Sequence, residues 1–185
     1  MKEIIAEITT QARLSSEINQ RSGVSVRVSI SNFETLLGNA VRRAIRNGEK
    51  WTCPRVSDLS FIVASFAGKI ELETFEEGRE SRVTDDLTRR SVLRTFGSYF
   101  DLEELESVVT AFDLGNQAET GSDKPAKDYP ALVKDIDGLA QAVKKLTTDK
   151  RPEVIASAVE LILEGLHLSR KLNCDRSGEA AVYKR

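Results

Sequence analysis

The 185-residue chain is poor in the residue types from which most active sites are built. It has one histidine, His167, and two cysteines, Cys53 and Cys174, which lie in no CxxC or Cys/His spacing. This spacing excludes a disulfide framework and favours two thiols in a reducing cytoplasm over a disulfide or a metal site. His167 lies between two leucines of an apolar segment, which predicts a packed or surface histidine rather than a catalytic one.

Long apolar runs and glycine-rich phosphate motifs are also absent. No stretch approaches the roughly 18 apolar residues that a membrane helix needs, and the first residues have neither a signal-peptide core nor a cleavage site. There is no G-x-x-x-x-G-K-[ST], so the chain alone is not expected to hydrolyse ATP. The 27 basic and 29 acidic residues nearly balance and create no basic field for nucleic acid. We expect a globular, cytoplasmic protein that binds neither membranes nor nucleic acid.

Apolar residues recur every three or four positions along the chain, with no sustained period of two, and this predicts an all-α protein. A first helix is expected around Ile4 to Ala12, and a second from Val26 to a stop at Asn47-Gly48. The apolar stripe that defines the second helix consists of Val26, Ile30, Phe33, Leu37, Val41 and Ala44.

Three arginines, Arg42, Arg43 and Arg46, are assigned to the outer face of this second helix. A solvated face with cations near the helix C-terminus explains them better than a basic binding patch. A DNA-binding interpretation, with residues 40–50 as recognition helix before Trp51, stays open as an alternative.

Further helices are predicted from capping residues and breakers. They comprise a short helix from Leu59 to Ala67, one capped at Thr84, and one opened by a capping box of Asp101 and Glu104. A solvated acidic connection is expected between the first two of these, with Glu71, Glu73, Glu76, Glu77 and Glu80.

The composition divides the chain into three parts. Residues 1–115 form a helical domain, and residues 116–128, with hardly any apolar content, are predicted to be a flexible linker or exposed loop. Residues 129–185 contain a helical hairpin, with one helix over 132–146 and one opening at Pro152, followed by a tail. The tail is expected to fray unless Tyr183 and its neighbour Val182 dock.

The candidate binding residues cluster where the second helix begins. Gly23 permits an unusual entry conformation, Ser25 is a suitable N-cap, and Arg27 then lies in the first turn, where its guanidinium and the helix N-terminus can face a phosphate. Arg21 adds a second cation. A plain capped helix with a surface arginine explains the same residues equally well.

The same residues carry a family resemblance. Gly23, Ser25 and Arg27 resemble the G-x-S-x-R signature that opens the lid helix of MoxR-like and magnesium chelatase-like AAA+ ATPases. The flanking segments 19–25, 48–50, 54–59 and 68–72 are similar to the C-terminal half of bacterial magnesium chelatase-related ATPases, and weaker similarity extends through residues 163–167.

This resemblance implies an AAA+ lid-type helical bundle over residues 1–115 with a C-terminal helical extension. It implies that Arg27 is the sensor-2 arginine that contacts ATP, that Gly23 and Ser25 shape its turn, and that Arg21 is a secondary contact. ATP and magnesium would bind only together with a P-loop core that the chain lacks, and none would bind to the isolated chain.

Two functions remain open from the sequence. The first is the lid and C-terminal region of an oligomeric AAA+ ATPase, whose partners are the AAA+ core, neighbouring ring subunits and a protein client. Such an ATPase remodels that client or drives metal insertion. The second is a stand-alone helical interaction module that has kept the lid fold without its nucleotide role.

Overall fold

The computed structural model describes residues 1–66, 68–74 and 78–185. Helices hold 62% of the chain and strands 9%, so the fold is mostly helical and not strictly all-α. The α-helices of the described residues are α1 (Lys2–Leu14), α2 (Val26–Arg46), α3 (Val63–Phe66), α4 (Arg79–Tyr99), α5 (Glu106–Asp113), α6 (Tyr129–Asp135), α7 (Leu139–Leu146) and α8 (Pro152–Leu168). Short 3-10 helices cover Val56–Phe61, Leu102–Leu105 and Ala126–Asp128, and the strands are β1 (Ala118–Gly121), β2 (Asn173–Ser177) and β3 (Ala180–Lys184).

Helix α4 lies at the centre of the fold and packs against both α1 and α8. The apolar face of α1 is buried as its spacing predicts, with Ile4, Ile8 and Ala12 fully enclosed. On α8, Gly165 lies so close to α4 that a Cβ there would stand 2.2 Å from ring carbons of Phe96. The absence of a side chain at this position therefore sets how closely α4 and α8 approach.

Several predicted helix ends are wrong. Helix α4 begins directly after Gly78, so Thr84, predicted to cap it, is a buried residue inside the helix. The predicted capping box at Asp101 does not form, because its side chain makes no capping hydrogen bond and a 3-10 turn follows. The single helix predicted over 132–146 is divided at Gly138, which has a φ of +76° and lies directly against α5.

The helix predicted from Leu59 is a 3-10 turn, Val56–Phe61, followed by the single turn of α3. In the acidic connection Glu71 and Glu73 are exposed. The predictions for Ala67, Glu76 and Glu77 lie outside the described residues.

A small sheet is where the structure departs from the all-α prediction. The strand order is β1-β3-β2, both pairs are antiparallel, and Ala118 is paired with Tyr183. The segment expected to be a flexible linker, residues 116–128, thus supplies a strand with buried residues, and the tail forms a hairpin in which Tyr183 is buried. The sequence does not reveal these strands, because the four residues of β1 are too few to show an alternation of apolar and polar side chains. Residues of β1 also lie 59 or more positions from their partners in β3, so no hairpin signal joins the two strands.

Buried residues from α1 to β3 belong to one hydrophobic cluster. The cluster runs from Ile4 at one end of the chain to Tyr183 at the other, and it includes Ala118 and Ala126 of the 116–128 segment. The helices before and after this segment therefore share a core, chiefly through the packing of α4 on α8.

Candidate functional site

The loop of residues 15–25, which leads from α1 into α2, is held against α1 by the side chain of Gln20. The amide nitrogen of Gln20 donates to the carbonyl oxygens of Ala12, Ser15 and Ile18 at 3.4, 2.9 and 3.0 Å. The carbonyls at the end of a helix lack partners within it, so Gln20 satisfies one of them while it folds the loop back on α1. The approach to α2 is thereby fixed relative to α1.

A second anchor joins this loop to the acidic connection. The N–H of Asn19 donates to the carbonyl of Glu71 at 2.8 Å, and the N–H of Glu73 donates to the carbonyl of Glu17 at 3.0 Å. The hydroxyl of Ser22 also donates to the Glu71 carboxylate. The part of the acidic connection predicted to be merely solvated is therefore an extended partner of the candidate loop.

The turn into α2 has the geometry that the sequence predicts. Gly23 has a φ of +67°, a conformation that residues with a side chain rarely adopt, and within residues 1–66, 68–74 and 78–185 no atom lies within 4 Å of its missing Cβ. Ser25 is the N-cap of α2, and its hydroxyl accepts the N–H of Arg27 at 3.2 Å. Because this amide is satisfied within the chain, what Arg27 offers a ligand is its guanidinium rather than its backbone N–H.

Arg27 differs from the other arginines of α2. Its side chain is exposed and, among the residues that the structure describes, has no hydrogen bond or ion pair. Arg46 is bound to Glu179 at 2.6 Å, Arg43 is buried in an ion pair, and Arg42 lies over the Phe61 ring. Arg27 is thus the arginine of α2 whose guanidinium has no partner among the described residues.

Arg21 is also exposed and its guanidinium likewise has no partner within the described ranges, while its N–H donates to the side-chain oxygen of Asn19. The structure therefore brings Arg21, Gly23, Ser25 and Arg27 to one loop and one helix end. No contact joins the two guanidinium groups.

Most of the apolar stripe that defines α2 faces solvent rather than the core. Val26, Ile30, Leu37 and Val41 are 63%, 55%, 40% and 50% exposed, and Ile45 beside them is 76% exposed. Of the predicted stripe, Ala44 is buried and Phe33 is half-buried. We call the exposed residues Val26, Ile30, Leu37, Val41 and Ile45 the outer α2 face.

The buried face of α2 is partly polar. It carries Val28, Leu36 and Ala40, but also Asn32, whose side-chain oxygen accepts the Ser65 hydroxyl at 2.5 Å. Helices of globular proteins normally turn their apolar stripe to the core and their polar side chains outward. In α2 an apolar stripe remains outside, so this helix has surface left for a further partner.

Arg43 is the clearest polar residue on this buried face, and its prediction as part of a solvated face is wrong. It is 2% exposed, and its Nε and Nη2 donate to the two carboxylate oxygens of Asp58 at 3.0 Å each. Further donor contacts reach Thr52, the Cys53 carbonyl and Glu49. Burial alone lowers the pKa of Arg43, but the Asp58 hydrogen bonds and the surrounding acids raise that pKa above its ordinary value.

The network continues from α2 to the C-terminal helices. Arg55 is fully buried, donates to the Lys124 carbonyl at 2.9 Å and stacks on the Tyr129 ring. The Tyr129 hydroxyl donates to Glu160 of α8 at 2.5 Å. Burial and the Glu160 charge raise the pKa of Tyr129 far above its ordinary value. The spacing of apolar residues along the sequence does not predict this network, because its members come from separate segments of the chain.

The single histidine and the two cysteines form no reactive group with one another within the described residues. The Nδ1 of half-buried His167 lies 3.1 Å from the Leu172 carbonyl, and Cys53 and Cys174 are both free thiols. Across residues 1–66, 68–74 and 78–185, no group of three or more His, Cys, Asp and Glu side chains is arranged to hold a metal ion. In the same ranges no helix has both the length and the apolar character needed to cross a membrane.

No known family model, curated protein or solved structure matches the chain. The functional hypotheses therefore depend on the geometry of α2 and its surroundings, together with the sequence pattern of residues 19–27.

Proposed function

We propose that the chain is the nucleotide-sensing lid and C-terminal region of a cytoplasmic, bacterial magnesium chelatase-like AAA+ ATPase. Arg27 is its sensor-2 arginine and contacts the phosphates of an ATP held, with magnesium, by a P-loop core on another polypeptide segment. The observation that carries the proposal is the Arg27 side chain, exposed in the first turn of α2 and without a partner in the described part of the chain.

The electrostatics of the α2 start support an anionic ligand. A cation in the first turn of a helix is disfavoured by about 0.3–1 kcal/mol because of the helix macrodipole. The first turn of α2 contains no acidic residue that offsets this cost. A phosphate beside Arg27 is attracted both by the guanidinium and by the helix terminus, so ligand binding relieves the repulsion.

The rest of the loop supports a positioning role. Gly23 and Ser25 set the direction in which α2 leaves the loop, and Gln20 and Arg13 tie the loop to α1, Arg13 through the Val24 carbonyl at 3.2 Å. Arg27 therefore projects from a held helix end rather than from a mobile loop. In the proposed assembly, movement of this lid against the core and neighbouring ring subunits couples ATP hydrolysis to remodelling of a client or to metal insertion.

The test measures ATP hydrolysis by the assembly that contains this chain and the P-loop segment, purified from its own cells. We expect Arg27→Ala to lower turnover at least tenfold, the effect of losing one charge-assisted contact of about 1.5–3 kcal/mol. Arg27→Lys should restore part of the rate, because a lysine keeps the charge but lacks the planar fork. The 185-residue chain alone should show no hydrolysis.

The matched control is Arg89→Ala, which removes another exposed arginine, on α4. It should leave turnover unchanged, and circular dichroism should show both variants folded. Normal turnover of Arg27→Ala would refute the sensor role.

The second candidate is a stand-alone helical interaction module, and the outer α2 face favours it. The basic face of Arg42, Arg43 and Arg46 offers such a module little charge, because Arg43 is buried and Arg46 is paired with Glu179 and Asp123. If this function holds, Val41→Asp on the outer α2 face abolishes partner capture while Arg27→Ala does not.

A further inference from the structure

We infer that the outer α2 face binds a second copy of this chain, with the two α2 helices antiparallel about a twofold axis near Gly38. The inference goes beyond the proposed function and stands without it, because it uses residues of α2 other than Arg27. It rests on an exposed apolar helix face whose charges and side-chain spacing are complementary to themselves.

The charges are arranged symmetrically around Gly38. Glu34, Gly38 and Arg42 are each four residues apart, and all three are exposed. Within the described residues neither charge has an ion pair, and the Arg42 guanidinium lies over the Phe61 ring, 4.4 Å from its centroid. When two such helices run antiparallel with their Gly38 residues opposed, Glu34 of each copy faces Arg42 of the other. A twofold axis creates this pair twice, as expected of an isologous interface.

The apolar residues match in the same register. Ile30 of one copy falls beside Ile45 of the other, and Leu37 falls beside Leu37 and Val41 of the other copy. Val26 points toward the C-terminal end of the opposite α2, beyond which Trp51 is 71% exposed. In this register each residue of the outer α2 face thus has an apolar neighbour, and the charges at positions 34 and 42 select it.

Gly38 permits a close approach of the two helices. It lies on the exposed side of α2, and no atom of the described residues comes within 4 Å of its missing Cβ. No described neighbour therefore requires glycine here, although glycine costs about 1 kcal/mol relative to alanine inside a helix. Small residues at the crossing point of two helices let their backbones come together.

The available area suits a dimer of standard size. The outer α2 face and Trp51 together expose roughly 700 Å² per copy, close to the ~800 Å² per partner that specific interfaces bury. The twofold axis lies about 16 Å along the helix from Arg27, at 1.5 Å per residue, so pairing leaves the start of α2 outside the contact centre.

The first experiment measures the mass of the full 185-residue chain by sedimentation equilibrium from about 1 to about 100 µM, a range that covers weak and standard interfaces. We expect a monomer–dimer equilibrium. Glu34→Arg and Arg42→Glu should each weaken association at least tenfold, because each places like charges opposite one another. The double variant should restore association, because opposite charges then face each other again across the twofold axis. Positions 34 and 42 are eight residues apart and cannot pair within one helix, so such a rescue must arise between two copies.

The matched control is Arg90→Glu on α4, which reverses an exposed charge paired with Asp86 and should leave association unchanged. A second measurement places cysteine at the axis: Gly38→Cys, with Cys53 and Cys174 replaced by serine, should form a disulfide-linked dimer under mild oxidation. Gly97→Cys, at an exposed helical glycine of α4, should not.

A monomer at about 100 µM would overturn the proposal. A dimer that the single charge reversals leave intact, or that is not rescued by the double variant, would overturn it too. A normal dimer alongside normal ATP turnover of Arg27→Ala would refute the lid function but support this pairing.

Discussion

Replacing Arg43 by methionine should destabilise the protein far more than the same replacement at Arg46, three positions along the same helix. Methionine keeps much of the apolar stem, so the comparison isolates the loss of charge and hydrogen bonds. Arg43 is 2% exposed, whereas Arg46 is 44% exposed and pairs with Glu179 and Asp123 at the surface.

The magnitude follows from what Arg43→Met leaves behind. Asp58, 1% exposed, loses both of its guanidinium contacts and keeps the N–H of Arg55 at 2.8 Å, while Glu49 loses one of its cations. Removing one member of a buried ion pair costs about 3–5 kcal/mol. An exposed pair contributes about 0–1 kcal/mol, which is the expected cost of Arg46→Met.

Urea unfolding followed by circular dichroism measures both costs. With a denaturant slope of about 2 kcal/mol/M, Arg43→Met should lower the unfolding midpoint by about 2 M and Arg46→Met by less than about 0.5 M. Replacing Asp58 by leucine as well should recover part of the loss, because the uncompensated buried carboxylate is then gone. Equal midpoints for the two single variants would refute the buried network as a source of stability.

Two further predictions concern the tyrosines of the core and the contact between α4 and α8. Burial and neighbouring glutamates raise the pKa values of Tyr129 and Tyr183, so both stay protonated in the folded state while the unfolded chain loses those protons above about pH 10. The contribution of the two tyrosines to the free energy of unfolding is therefore fully present below pH 10 and falls by about 3 kcal/mol by pH 11. Urea unfolding should show that this loss is absent when both tyrosines are replaced by phenylalanine. An unchanged loss in that double variant would contradict the reasoning. Gly165→Ala should cost at least about 1–3 kcal/mol in thermal unfolding because its Cβ meets the Phe96 ring, whereas Gly97→Ala on the exposed side of α4 should be neutral or stabilising. Equal effects at the two glycines would show that the close approach is not a constraint.

The local features of the site follow from short stretches of sequence. Positive φ at Gly23, the Ser25 N-cap and the stop of α2 at Gly48 are confirmed, because each depends on a few neighbouring residues and on the conformations they allow. The buried stripe of α1 is confirmed for a similar reason: it has only one apolar face, so spacing alone selects the side that packs.

Which face of α2 is buried, and which of its arginines is paired, depends on residues far from α2 in the chain. Apolar spacing predicts one stripe, but the face of α2 that is buried carries Asn32 and Arg43. These two side chains bind Ser65 and Asp58, which belong to other segments of the chain. The spacing of apolar residues within a helix holds no information about a partner that another part of the chain contributes.

The sheet shows the same limit more strongly. Residues 116–128 have few apolar residues and a composition typical of loops, yet β1 forms because β3 supplies hydrogen bonds and sets the buried Tyr183 beside Ala118. Strand pairing over such a separation depends on the folded helices that bring the two ends together. Local sequence therefore specified how α2 begins, whereas the three-dimensional packing specified which surfaces remain free to bind.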